Sequence, residues 1–207
     1  AYFVKDADVV VTRGRQQSLH EETDARTEGD FEKAYIFHGR DSYEYMTVIH
    51  ASEDELEKYR EMLPYLVVRC DREVHQVADA SGIVACAVFE ESDLEGVVMH
   101  ATPSMLMYSA DEDGRITLSV SNPDLALYDG PSDEKYDADG KRIERSVYSR
   151  EWLNNPCGTV TVRLVLEGDW RISDTGESDV EISHEDGNTV LLFRTREART
   201  EEIVIER

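Results

Sequence analysis

The 207 residues carry 45 acidic side chains against 22 basic ones, a formal charge of −23 at pH 7. Such an excess repels nucleic acid, anionic lipid and sulfated polysaccharide alike, so a surface for any polyanion would have to be a local basic patch. Arg13 with Arg15, and Lys141 with Arg142 and Arg145, come nearest to one, and acids flank both. No run approaches the roughly 20 apolar residues of a membrane span and no signal-peptide pattern opens the chain, so neither a nucleic-acid nor a membrane partner is expected.

In chain order, residues 2–4 and 9–12 read as strands, and the polar, charge-rich stretch 13–29 reads as a loop by composition. The strand-like start at Ala1-Tyr2-Phe3-Val4 is what a piece cut from inside a longer protein would show. Ala34-Tyr35-Ile36-Phe37-His38-Gly39 and Tyr43-Glu44-Tyr45-Met46-Thr47-Val48-Ile49 are rich in aromatic and β-branched residues on either side of a short link containing Gly39, which predicts a β-hairpin. The period then changes. Ser52 with Glu55 makes a capping box, Glu53 and Asp54 suit a first helical turn, and Leu56, Tyr59 and Leu63 share one face, so 52–63 is predicted to be the one helix, stopped by Pro64.

Strands are predicted at 66–70, 74–78 and 82–89. The run Ile83-Val84-Ala85-Cys86-Ala87-Val88-Phe89 is apolar on both faces, which places it at the centre of a core. Residues 97–99, 104–108 and 115–121 continue the pattern, with Asp111-Glu112-Asp113-Gly114 as a hairpin turn and Asn122-Pro123 as its end. From 128 to 158 the sequence is polar, and 145–148 is the strand read there. Beyond Gly158, Val160, Val162, Leu164 and Leu166 alternate with Thr159, Thr161, Arg163 and Val165, so one face is buried and the other mostly polar. Trp170 is placed in the core, and 180–183, 189–195 and 202–206 follow as strands with a turn at Asp186-Gly187-Asn188. Many short strands, regular turns and one short helix predict an all-β fold of antiparallel sheets packed as a sandwich.

Three cysteines, Cys70, Cys86 and Cys157, leave an odd count without CxxC spacing. Free thiols are the first reading; a Cys70–Cys86 or Cys86–Cys157 bridge is the alternative. Six histidines (His20, His38, His50, His75, His100 and His184) are scattered without ligand spacing, and the turns at 111–114 and 137–141 do not extend into a twelve-residue calcium loop. No metal and no cofactor are expected. Nucleophile-elbow, P-loop and dinucleotide signatures are all missing from the sequence.

The order of these features resembles one family. His38-Gly39, a short link, Tyr43-x-Tyr45, a capped helix, Tyr65-Leu66-Val67-Val68-Arg69 and Asp71-Arg72-Glu73-Val74-His75-Gln76-Val77 are similar to the C-terminal part of the polysaccharide lyases that cleave chondroitin and hyaluronan. The chondroitin sulfate ABC lyases share most of the pattern. Thr12-Arg13, Thr27-Glu28-Gly29-Asp30-Phe31 and Val120-Ser121-Asn122-Pro123-Asp124-Leu125 extend it, so that 9–126 is covered well and the remainder weakly.

The resemblance implies that 1–66 ends a large central sandwich and 67–207 forms a smaller C-terminal sandwich. It also implies a secreted or periplasmic parent with an upstream catalytic domain and a glycosaminoglycan substrate cleaved by β-elimination. Such a reaction needs a Tyr or His to remove the C5 proton of a uronic acid, which makes His38, Tyr43 and Tyr45 the candidate catalytic set. Two tyrosines at a spacing of two share one strand face, however, and packing explains them better. The family keeps its proton-transfer residues mainly in a helical domain upstream, so the expected catalytic set of this chain is none. A structural portion of such a lyase is therefore one reading; a free-standing β-sandwich binding neutral glycan or protein is the other.

Overall fold

The computed structural model describes residues 1–20, 23, 25–37, 43–124, 135–136, 138–140, 142–143 and 158–207. They form two compact units, Ala1–Leu63 and Pro64–Arg207.

The first unit contains β1 (Tyr2–Lys5), β2 (Val9–Leu19), β3 (Arg26–Ile36), β4 (Glu44–Thr47) and α1 (Glu53–Glu61). β1 pairs antiparallel with β4 and β2 with β3, as two separate two-stranded sheets. Two expectations are corrected here. The polar stretch 13–29 is not a loop throughout: residues 13–19 and 26–29 belong to the β2–β3 ribbon, where opposite charges meet across the strands. Arg13 lies opposite Glu32, and one Glu28 carboxylate accepts from Arg15 at 2.6 Å and from Gln17 at 3.0 Å.

Nor do the described parts of the predicted hairpin, 34–37 and 43–49, pair with each other. β3 finds an 11-residue partner in β2, whereas β4 is 4 residues long and joins β1, so the longer complementary register wins. α1 starts as its sequence requires: the Ser52 hydroxyl accepts from the Glu55 N–H at 3.3 Å and the Glu55 carboxylate accepts from the Ser52 N–H at 2.9 Å. It stops before the predicted end, since Met62 is already extended at ψ 119°. Tyr59 of α1 meets Phe3 of β1 edge-on at 5.9 Å.

The second unit is a sandwich. Its strands are β5 (Tyr65–Cys70), β6 (Val74–Asp79), β7 (Val84–Val88), β8 (Ser92–Asp93), β9 (Val98–Ala101), β10 (Ser104–Ala110), β11 (Ile116–Ser121), β12 (Lys135–Tyr136), β13 (Arg142–Ile143), β14 (Thr159–Leu166), β15 (Arg171–Asp174), β16 (Val180–Glu185), β17 (Asn188–Arg196) and β18 (Glu201–Glu206). One sheet runs β15-β18-β11-β10-β7-β6-β5, the other β16-β17-β14-β9-β8, and β12 pairs with β13. All described pairs are antiparallel. The 145–148 strand and Cys157 lie outside the described residues.

Alternate residues of both sheets fill one core. Leu106, Leu118, Val120, Ile203 and Ile205 from the larger sheet meet Val98, Val162, Leu164, Leu166, Leu191 and Phe193 from the smaller, with Trp170 buried beside them. Each fully buried aliphatic side chain contributes about 1.5–3 kcal/mol. The period of two expected for 159–166 is therefore present, and Trp170 does anchor the core: its indole N–H donates to the Glu167 carbonyl at 2.8 Å. β7 departs from expectation. Cys86 and Val88 face the core, but Ala85 and Ala87 line the opposite, open face of the sheet, so a run apolar on both faces is buried on one.

Polar side chains tie the two sheets together along one margin. Buried Gln76 of β6 donates to the Glu95 carbonyl and accepts from the Glu95 N–H at 3.3 Å, beside β8. Arg69 of β5 donates to the Asp93 carbonyl at 2.9 Å. The edges are short, bent or charged. β5 and β15 carry register shifts, β8 has 2 residues, and β16 presents Glu181 and Glu185, which are paired to Arg194 and Arg163. Cys70 is an exposed free thiol and Cys86 a buried one, which disposes of the Cys70–Cys86 bridge.

Candidate functional site

The candidates Tyr43 and Tyr45 lie in the first unit, at an open groove of about 640 Å³. Tyr2, Val4 and Tyr45 line it from the β1–β4 pair, and Val9, Val11, Ala34 and Ile36 from the β2–β3 ribbon, with Tyr43 alongside. The alternation of each strand explains the lining: Val9 pairs with Ile36 and Val11 with Ala34, so all four project to one side. Tyr43 and Tyr45 stack with ring centroids 6.3 Å apart and planes 15° from parallel. The described charged residues at the groove are Glu32 and Lys33. His38 lies outside the described residues. Apolar side chains and ring faces make up most of what this groove offers, with Glu32 and Lys33 beside them.

In the second unit, three groups that the sequence did not mark come together around β8 and β9. The His100 ring sits between two carboxylates, with Nδ1 2.9 Å from Asp93 and Nε2 3.0 Å from Glu91. Asp93 first and Glu91 second raise its pKa above the ordinary histidine value. Nearby, Arg69 donates to Asp71 at 2.6 Å and to Glu73 at 2.8 Å. That guanidinium, with the N–H groups of Val74 and Glu73, holds the Asp71 carboxyl down to about 2. The signal for the His100 cluster was in principle available, as Glu91-x-Asp93 precedes His100 by a turn, but only the β8–β9 register brings the three together.

The open face of the larger sheet carries an apolar trough of about 440 Å³. Ala85 and Ala87 form its floor, His75 and Val77 one wall, Met105 and Met107 the other. Phe89 packs edge-on against His75 at 5.1 Å. The hairpin at 111–114 is held by Asp111, whose carboxylate accepts from the N–H groups of Asp113 and Arg115 at 2.9 Å each. Among the described residues no cluster of three or more His, Cys, Asp or Glu has the arrangement of a metal site, and no helix is long and apolar enough to cross a membrane.

No family model matches the sequence. Over its full length the chain is 33% identical to the chondroitin sulfate ABC exolyase of Bacteroides thetaiotaomicron, spanning 21% of that protein. It is 29% identical over 88% of its length to the chondroitin sulfate ABC exolyase of Proteus vulgaris, and 27% identical over 93% to the chondroitin sulfate ABC endolyase of the same organism, spanning 18% of each. Among solved structures, the chondroitin AC lyase of Streptomyces coelicolor A3 matches 99% of this chain with 24% of its own, at a TM-score of 0.63 and 14% identity. A Paenibacillus xanthan lyase matches 99% with 18% of its own, at 0.58 and 8%.

At such low identities the structural matches speak for the fold, and that fold is the all-β sandwich found in polysaccharide lyases. The sequence matches are more particular. The chain belongs to the chondroitin lyase family of polysaccharide lyases, and it spans about one fifth of the length of the curated relatives it matches.

Proposed function

We propose that this chain is the C-terminal, structural part of a secreted or periplasmic lyase that cleaves chondroitin sulfate-type glycosaminoglycan by β-elimination, in partnership with an upstream catalytic domain of the same polypeptide. The observation that carries this reading is the 33% identity over the whole chain to an exolyase of which it makes up 21%. The chemistry supports a supporting role. Removing the C5 proton of a uronic acid needs a base, an acid for the leaving oxygen and a group that neutralises the neighbouring carboxylate, all held in one cleft. The described lining of the first unit's groove is mostly aliphatic, with two stacked tyrosines and with Glu32 and Lys33 as its charged residues. The net charge of −23 further opposes a polyanionic chain.

The test is the ultraviolet absorbance of the unsaturated product after purified protein meets chondroitin sulfate. No turnover is expected from the 207-residue chain and sustained turnover from the longer natural polypeptide. Turnover by the short chain, abolished by His38→Ala or Tyr43→Phe, would assign the catalytic machinery to the first unit. The trough over Ala85 and Ala87 favours a second reading, a module that holds neutral glycan or protein; calorimetric binding of an uncharged oligosaccharide or a protein to the short chain would support it.

A further inference from the structure

The trough on the open face of the larger sheet brings together sulfur and imidazole without carboxylate. Met105 lies opposite Ala87 and Met107 opposite Ala85, and across β7 His75 and Val77 lie opposite the same two alanines. His75 and Met105 are therefore two strands apart, about 9.5 Å between backbones, with only the Ala87 methyl between them on that face. An imidazole and a thioether reaching over that methyl can meet on one ion. Phe89 holds the His75 ring edge-on, and among the described residues no hydrogen bond engages the ring nitrogens. Met105 and Met107 are 51% and 49% exposed, so both can be reached from solvent. A donor set split between strands leaves no spacing along the chain, which is why the histidines read as scattered.

We infer that His75, Met105 and Met107 form a site for a soft monovalent metal ion of the copper(I) and silver(I) class. It goes beyond the lyase reading and does not depend on it. Thioether with imidazole is a donor set that selects soft ions. Calcium and magnesium require oxygen ligands, and zinc takes thiolate, imidazole or carboxylate. In a chain with 45 acidic residues, no carboxylate is among the described residues lining this trough. Glu202, opposite Ser119, accepts from the Ser119 hydroxyl at 2.8 Å and does not line it. A single positive charge also suits a lining without formal charge, since the field of the −23 chain favours a cation at long range.

The test is an anaerobic titration of copper(I), kept reduced by ascorbate, in competition with the coloured chelator bicinchoninate. A Cys70→Ser, Cys157→Ser background removes competing thiols and leaves Cys86 buried in the core. One equivalent of copper(I) should be withheld from the chelator, and zinc(II) should bind far more weakly. Losing a group that merely orients a metal ligand weakens binding roughly 10- to 100-fold, so losing a ligand should cost at least that. His75→Gln and the volume-conserving pair Met105→Leu with Met107→Leu should each show it. Methionine methyl resonances of the serine background supply a readout that needs no change in the trough. Of the five methionines, silver(I) should shift Met105 and Met107 and leave Met46, Met62 and Met99 in place. Failure to withhold copper, binding unchanged in both variants, or silver shifts confined to the other methionines would each overturn the inference. Zinc(II) held as tightly as copper(I) would do so too, because thioethers would not then define the site.

Discussion

Gly96 shows how narrowly a single position is determined. Its φ of +120° is a region that side-chain-bearing residues rarely adopt, and a Cβ there would lie 2.4 Å from the hydroxyl of Tyr108, itself 7% exposed. Gly96→Ala should therefore cost about 1–3 kcal/mol in a thermal or denaturant melt, and pairing it with Tyr108→Phe should recover the part due to the clash but not the part due to φ. His100 makes a second test, through pH. Its folded pKa is raised, so the stability it contributes is fully present below the unfolded value of about 6.5 and is lost as pH rises through the folded value. Neutral imidazole has one N–H for two carboxylates. His100→Gln should lower Tm at pH 5.5 and converge with the parent chain by pH 9. The effect should be small, because Glu91 and Asp93 are 61% and 91% exposed.

Elements differ in how much their own residues announce. Ser52 and Glu55 specify the start of α1 by a hydrogen-bonded pair three residues apart, and Ser52→Ala should cost about 1 kcal/mol, read as lost helicity by circular dichroism. A strand such as β14 was equally legible, because burial of one face imprints a period of two on Val162, Leu164 and Leu166. What the sequence left unread is pairing at a distance. The ribbon at 9–36 is held by charge pairs such as Arg15 with Glu28, and polar residues that satisfy each other across strands look like a loop when read along one. Likewise Tyr43 and Tyr45 could be placed on one face from their spacing, but their groove depends on β4 choosing β1 instead of β3. The His100 cluster and the alanine-floored trough depend on register in the same way: Glu91-x-Asp93 and Ala85-x-Ala87 are visible in the sequence, but what faces them is not.

For the whole molecule, charge is the dominant long-range property. With −23 formal charges, affinity of the 207-residue chain for chondroitin sulfate should be negligible near neutral pH at physiological salt, and a sub-millimolar constant by calorimetry would contradict a supporting role. Within Pro64–Arg207, short, bent or charged edge strands enclose a core that both sheets share. Guarded margins of this kind bear on inheritance as well as on folding. A gene segment encoding residues 64–207 would carry guarded edge strands into any reading frame it joined, whereas one encoding β2 and β3 would carry two 11-residue strands with one described partner each.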